Sequence, residues 1–295
     1  MELVHTVAAL QERADALRGA GRRLALVPTM GSLHAGHAAL IDAARRRVDD
    51  VVVSIFVNPA QFDAPADLAA YPRPREADLA LCRAGGVDAV FAPDEAELYP
   101  AGFQTWVEVS ELARPLCGAS RPGHFRGVAT VVAKLLLAAR PHLAVFGEKD
   151  FQQLALVRRM ARDLGFGVEI VGVPTVREAD GLALSSRNVH LDAATRPQAV
   201  VLGRALEAAA GAAAAGERRA AALLALVRRE IAKAPWAELD YAELRDPETL
   251  APAADALAGP TLLALAVRFP REGGERVRLI DNRVLPVQPS REERT

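Results

Sequence analysis

The sequence predicts an α/β fold, a doubly wound parallel sheet followed by a smaller C-terminal α+β domain. Two patterns carry that expectation. Over the first 176 residues short β-branched runs alternate with helical stretches, and beyond residue 188 the chain turns Ala-rich before strand-like segments return. The runs are LALVP (24–28), VVVSIFVN (51–58), VDAVFAP (87–93), HLAVFG (142–147) and VEIVGVP (168–174). Between them, residues 37–47, 75–84, 127–139 and 150–163 place apolar side chains at helical spacing, which gives connections long enough for parallel crossovers. A Rossmann-like domain over residues 1–180 follows from this alternation.

The loop TVREADGLALSSRN (175–188) marks the change to a second domain, 181–295, expected to act as a lid over the site of the first. Residues 192–214 and 217–233 read as Ala-rich helices. AELDYAEL, TLLALAVRF and ERVRLIDNRVLPV read as a small antiparallel sheet, with Gly273 and Gly274 as a turn. The closing SREERT is expected to fray.

With 295 residues and 51% hydrophobic side chains, the chain has ample material for a buried core. Its 36 basic and 37 acidic residues leave a formal charge of -1, which offers no field for nucleic acid or an anionic membrane. Small-molecule chemistry is the default. Cys82 and Cys117 are far apart and lack a partner motif, as suits a reducing compartment. The start is charged and amphipathic and no apolar run approaches membrane-spanning length, so a cytoplasmic protein is expected.

Four segments carry the chemistry. LALVP opens into TMGSLHAGH, which sets Met30, Gly31, Ser32, Leu33, His34, Ala35, Gly36 and His37 at the carboxyl end of a strand, where open α/β sheets bind ligands. Gly31 and Gly36 permit close backbone approach, and a helix starting near Gly36 would aim free amides at a phosphate. His34 and His37 would add donors, although structural histidines or a zinc pair are also consistent with the spacing. After HLAVFG come Gly147, Glu148, Lys149 and Asp150, where Lys149 suits a transferring phosphate and Asp150 either joins the site or caps the following helix. The alternative for Lys149 is a solvated surface amine. In LALSSRN, Leu184, Ser185, Ser186 and Arg187 offer hydroxyls and a guanidinium fork for phosphate oxygens, or else form a plain polar loop. FVNPAQF adds Asn58 and Gln61, whose amides suit an uncharged polar part of a substrate.

In this order PTMGSLHAGH, FVNPAQF, YPRP, RPGHFRGV, FGEKDFQQ and LALSSRN resemble the motif series of the pantothenate synthetases, the pantoate and β-alanine ligases. The first motif alone marks only the wider class of HxGH nucleotidyl-transferring enzymes. The resemblance implies that Met30 through His37, Gly147 through Asp150, Val176 and Leu184 through Arg187 bind ATP, with magnesium accompanying the nucleotide. It implies catalytic roles for His34, His37, Lys149 and Arg187, with His37 the catalytic acid. Gln61 and Gln153 would hold pantoate, β-alanine would enter beside Gln61, and the protein would be a homodimer. Pro74 after Tyr71-Pro72-Arg73, and Ala35 between His34 and Gly36, depart from the usual pattern without removing a ligand. Asp78 reads as a surface carboxylate or a magnesium ligand, and Arg121 and His124 as closing over substrate or capping a helix.

A carboxylate resists amines because its leaving group would be an oxide, and adenylation supplies a better one. The expected reaction is therefore pantoyl-adenylate formation with release of pyrophosphate, then attack by the β-alanine amine with release of AMP. An adenylyltransferase acting on a phosphorylated acceptor, or a non-catalytic adenine-nucleotide module, would share the first motif, but Gln61 and Gln153 are uncharged where a phosphorylated acceptor would want cations.

Overall fold

The computed structural model describes residues 1–63, 65–271 and 276–286, so the Gly273-Gly274 turn and the SREERT tail lie outside the described residues. Two compact units emerge, Met1–Glu148 with Gln152–Thr175, and Lys149–Phe151 with Val176–Thr295.

The first unit is built on β1 (Glu2–Val4), β2 (Leu24–Thr29), β3 (Asp50–Ile55), β4 (Ala89–Phe91), β5 (Leu143–Gly147) and β6 (Glu169–Val173). All neighbours pair parallel, in the order β1-β4-β3-β2-β5-β6. Val51, Val52 and Val53 are all fully buried, which explains why this strand reads as a continuous apolar run and not an alternating one. Ala25, Val27, Val51 and Val53 pack with Leu40 and Ile41 of α2 (Ala35–Arg45) and with Leu79 and Cys82 of α3 (Arg75–Ala84). Against β2 from its other side come α1 (Val7–Gly19) and α4 (His124–Ala139), while α5 (Phe151–Asp163) follows β5. Strand order reverses between β2 and β5, which makes that edge the topological switch point.

The doubly wound sheet is as the sequence predicts, with local differences. β1 has three residues, too few to show a period in sequence, and it joins the sheet by pairing with β4. VVVSIFVN ends its strand at Ile55, because Asn58 caps a 3-10 turn, Pro59–Gln61, by accepting the Ala60 N–H at 3.3 Å. The predicted helix 192–214 is two pieces, Arg196–Ala199 and α6 (Val201–Ala214), with Pro197 in the first turn.

In the second unit α6 and α7 (Ala220–Ile231) cover the antiparallel sheet β7 (Glu238–Arg245), β8 (Thr261–Pro270) and β9 (Arg276–Leu285), in that order. Leu202, Leu206, Leu223 and Val227 of the helices bury against Leu263, Leu265 and Val267 of β8. Ala-rich stretches form helices here because small side chains let α6 approach closely. At Gly203 the approach is limiting, since an added Cβ would lie 2.8 Å from the Gly181 carbonyl oxygen. Gly203→Ala is therefore expected to destabilise this unit by about 1–3 kcal/mol, as overpacking against backbone does. Equilibrium urea unfolding measures it, and an unchanged midpoint would contradict the stated contact.

Candidate functional site

The turn after β2 is held from below by a single carboxylate. Asp78, only 2% exposed, accepts the Ser32 N–H on Oδ2 at 2.9 Å and the Leu33 N–H on Oδ1 at 2.7 Å. Gly31 (φ 81°) and Ser32 (φ 53°) both lie in the left-handed region, and a Cβ on Gly31 would come 2.9 Å from Asp78 Oδ2. The surface reading of Asp78 is corrected: α3 turns it inward on the same face as Cys82, where it fixes the backbone of the turn. A charged residue at i beside apolar positions i+1 and i+4 was the signal available in sequence. Burial also pushes the Cys82 thiol up to about 11, with Asp78 adding to the rise.

His34 is the N-cap of α2, and the two histidines cap reciprocally. His34 Nδ1 accepts the Gly36 N–H at 3.1 Å, while His37 Nδ1 accepts the His34 N–H at 3.2 Å. Their ring centroids are 4.2 Å apart. Because a backbone N–H can only donate, each Nδ1 acts as an acceptor, and in the neutral ring the proton then sits on Nε2. A Cβ at Gly36 would fall 2.8 Å from the His34 ring, so the capping ring would have to shift. Three amides of the helix start, those of residues 36 to 38, are engaged within the protein. Gly36 donates to His34 Nδ1, and the His37 and Ala38 amides donate to the His34 carbonyl.

A second group surrounds Gln61, which is 8% exposed. Asn58, 1% exposed, accepts from the Ala60 amide and donates to the Gly127 carbonyl at 3.1 Å, so its orientation is set by backbone. Its Nδ2 must then meet the acceptor of Gln61, Oε1 at 2.9 Å, which directs Gln61 Nε2 to within 3.1 Å of Met30 Sδ. Tyr99 Oη donates to Asn58 Oδ1 at 2.8 Å, and burial pushes its hydroxyl up to about 12. Gln61 thus presents a donor.

The Gln61 carbonyl is gripped by His124 Nδ1 at 2.8 Å and by Arg121 Nη2 at 3.0 Å, with Arg121 also ion-paired to Asp63. His124 opens α4, whose N-cap Gly123 receives no side-chain cap, so the capping reading gives way to one in which both residues fix the backbone beneath Gln61. Three residues on, Gly127 lies against that turn: a Cβ would be 2.2 Å from the Ala60 carbonyl oxygen. Nothing in RPGHFRGV marks its glycine as a close-approach position, because the contact is non-local.

FGEKDFQQ runs from β5 through a 3-10 turn, Glu148–Asp150, directly into α5. Its two glutamines differ. Gln152 is buried and fully engaged, donating to the Leu112 and Pro115 carbonyls at 2.9 and 2.7 Å and accepting from the Cys117 amide at 3.1 Å. Gln153 is half-buried, and no hydrogen bond within the described residues engages its amide. The Lys149 side chain is 16% exposed, with Nζ 3.7 Å from Asp150 Oδ2.

In the second unit Leu184 donates its N–H to the Val176 carbonyl at 3.0 Å, closing a hairpin across Gly181. Ser185 caps the 3-10 turn Ser186–His190 by accepting the Arg187 N–H at 3.2 Å, and Arg187 is exposed. Among the described residues no group of three or more His, Cys, Asp or Glu side chains is placed to hold a metal ion, and no helix is long and apolar enough to cross a membrane.

Comparison with known proteins agrees across the chain. The family model for pantoate-beta-alanine ligase matches residues 2–284. A pantothenate synthetase of Geotalea uraniireducens is 52% identical over 285 residues, 97% of this chain and 99% of the relative. The crystal structure of a pantothenate synthetase from Thermus thermophilus superposes with a TM-score of 0.89 at 49% identity, covering 97% of this chain and 100% of that one. A Francisella tularensis pantoate-beta-alanine ligase, crystallised with a β,γ-type ATP and β-alanine, gives a TM-score of 0.76 at 32% identity, covering 96% and 97% of the two chains.

Two substitutions test this geometry. Asp78→Asn keeps the shape but lets the side chain accept with only one atom, so about 1–3 kcal/mol of stability and much of the ATP affinity are expected to go; calorimetric titration with unchanged affinity would refute the anchoring role. Gly127→Ala is expected to displace the 3-10 turn that carries Gln61. It should raise the pantoate KM about tenfold or more while moving the ATP KM far less, and an equal effect on both would place its influence elsewhere.

Proposed function

Since the chain belongs to the pantoate-beta-alanine ligase family and is an ATP-dependent ligase of pantoate and β-alanine, we propose that it works through a pantoyl adenylate formed at the start of α2. The observation that carries this reading is the reciprocal histidine cap at the switch point. It commits both Nδ1 atoms to backbone, so that in the neutral form the donor nitrogen of each ring is Nε2.

The pantoate carboxylate is ionised near neutrality and needs no base. One of its oxygens attacks the α-phosphorus of ATP, a C–O–P bond forms, and the bond from α-phosphorus to the pyrophosphate oxygen breaks. The chain's task is alignment and stabilisation of charge on the phosphoryl oxygens. His34 and His37 donate from Nε2, and His37 supplies the hydrogen bond or proton to departing pyrophosphate. Lys149 and Arg187 contribute cationic donors. The β-alanine amine, in its neutral form, next attacks the acyl carbon, AMP leaves with the bonding electrons, and the nitrogen sheds a proton.

The ATP contacts we assign are, in the first unit, Met30 through His37, Gly147 and Glu148, and, in the second, Lys149, Asp150, Val176 and Leu184 through Arg187. Gln61 and Gln153 take pantoate. The fixed orientation of Gln61 gives its Nε2–H a hydroxyl or carboxylate oxygen to meet, and β-alanine enters beside it. The substrate is the magnesium complex of ATP. Mg2+ keeps several waters and binds mainly through phosphates, which suits a cation delivered by the triphosphate. Cytoplasmic location and a homodimer complete the proposal.

Purified protein with MgATP and pantoate is expected to form pyrophosphate, and to turn over with AMP release only when β-alanine is added. His37→Ala should slow pyrophosphate formation by ~10²–10⁴-fold. Turnover without pantoate would refute the ligase assignment, and near-normal turnover by His37→Ala would refute the role of that residue.

A further inference from the structure

Two adjacent residues of β9, Asp281 and Asn282, hold two segments of the second unit that bear assigned ATP ligands. Asn282 donates from Nδ2 to the Lys149 carbonyl oxygen at 2.8 Å. Asp281, 1% exposed, accepts a two-pronged hydrogen bond from Arg177, at 2.6 Å from Nη1 and 2.9 Å from Nη2. Arg177 Nη1 donates again, to the Gly181 carbonyl at 3.0 Å, and Arg177 bridges to Ala183 across the hairpin. Arg177 is thus the bracket of the hairpin that begins at Val176 and leads into Leu184–Arg187. The Asn282 N–H donates to Asp281 Oδ1 at 2.8 Å, tying the two grips together.

These are costly arrangements to keep for stability alone. A buried ion pair contributes little net stability compared with a well-packed apolar pair, whereas its planar geometry fixes position. Consecutive strand residues point to opposite faces, so one short stretch of β9 can reach Lys149 with one side chain and the hairpin with the other. Lys149 has a long, flexible side chain, and fixing its carbonyl fixes the origin of that chain.

We propose that Asp281 and Asn282 are positioning residues for ATP: Asn282 sets the backbone of Lys149, and Asp281, through Arg177, sets the hairpin carrying Val176 and Leu184–Arg187. This rests on the assignment of Lys149 and that loop to ATP.

The test measures ATP affinity by calorimetry, with KM values for ATP and pantoate, in Asn282→Ala, Asn282→Asp, Lys149→Ala, Arg177→Lys and the Asn282→Ala/Lys149→Ala double variant. Asn282→Ala is expected to weaken ATP about tenfold, the loss of one well-made hydrogen bond, with the pantoate KM within about twofold of wild type. Asn282→Asp keeps the shape but faces the Lys149 carbonyl with an acceptor, so it should be no better than Ala; a role in packing alone would tolerate it. Adding Asn282→Ala to Lys149→Ala should change ATP affinity no further. Arg177→Lys keeps the charge and loses the fork, and it should raise the ATP KM selectively. The inference is overturned if Asn282→Ala leaves ATP affinity intact while Lys149→Ala weakens it, if both KM values rise together, or if the double variant is multiplicative. If Lys149→Ala itself binds ATP normally, the assignment of Lys149 fails and the role of Asn282 falls with it.

Discussion

Everything at the candidate site in the first unit follows from the side-by-side placement of β2 and β5, the point where strand order reverses. Connections leaving those two strands depart in opposite directions over the sheet, so no crossover fills the crevice outside their carboxyl ends. The turn after β2 and the exit of β5 at Gly147 open there. The continuous apolar character of β2, β3 and β5 is the same constraint seen from inside. Strands this central are covered on both faces and leave only their ends for chemistry.

At those ends, charged and polar side chains are spent on backbone more than on display. Asp78 accepts two amides, and bonds to a charged group contribute about 1.5–3 kcal/mol each. The left-handed conformation of Ser32 costs about 1–3 kcal/mol. Two such bonds therefore outweigh the strain they hold, and the turn persists in a shape that a non-glycine residue would otherwise leave. Arg121 and His124 do the same for the Gln61 carbonyl, Gln152 for the 112–117 segment, and Asn282 for Lys149. A common logic emerges, in which the backbone of a turn or loop is fixed by a polar group from another element.

That logic explains what sequence could show. Strands, crossovers and strand-end motifs are local, since a β-branched run and the glycines after it lie within about ten residues of each other. The sheet, the smaller α+β unit and the candidate turns were legible for that reason. Partners of the turns were not. Asp78 is 46 positions from Ser32 and Gln61 is 63 from His124, and no periodicity joins them. Gly127 gave no sign of its contact with Ala60, and the buried role of Gln152 was not signalled, because it depends on which face α5 turns inward. β1 was too short to show alternation, and the break near Pro197 was hidden by the helix propensity of its neighbours.

The histidine pair shows how a local motif can hide a reciprocal cap that only the folded backbone reveals. Serine, threonine, aspartate and asparagine are the favoured N-caps, and each caps at least as well as an imidazole. Histidine at this position makes physical sense because it has two nitrogens on opposite sides of one ring. Nδ1 satisfies an orphan amide, and the neutral ring carries its proton outward on Nε2. On the proposed function, the helix start then acts through the rings. The Gly36 amide polarises the His34 ring and the His34 amide polarises the His37 ring, each through its own hydrogen bond. Backbone amides can bind a phosphate only where the backbone reaches, whereas an imidazole extends the same partial charge by the width of a ring and can give up a proton when a leaving group needs one. A Cβ at Gly36 would strike the capping ring, so the glycine belongs to the histidine arrangement as much as to the approach of any ligand.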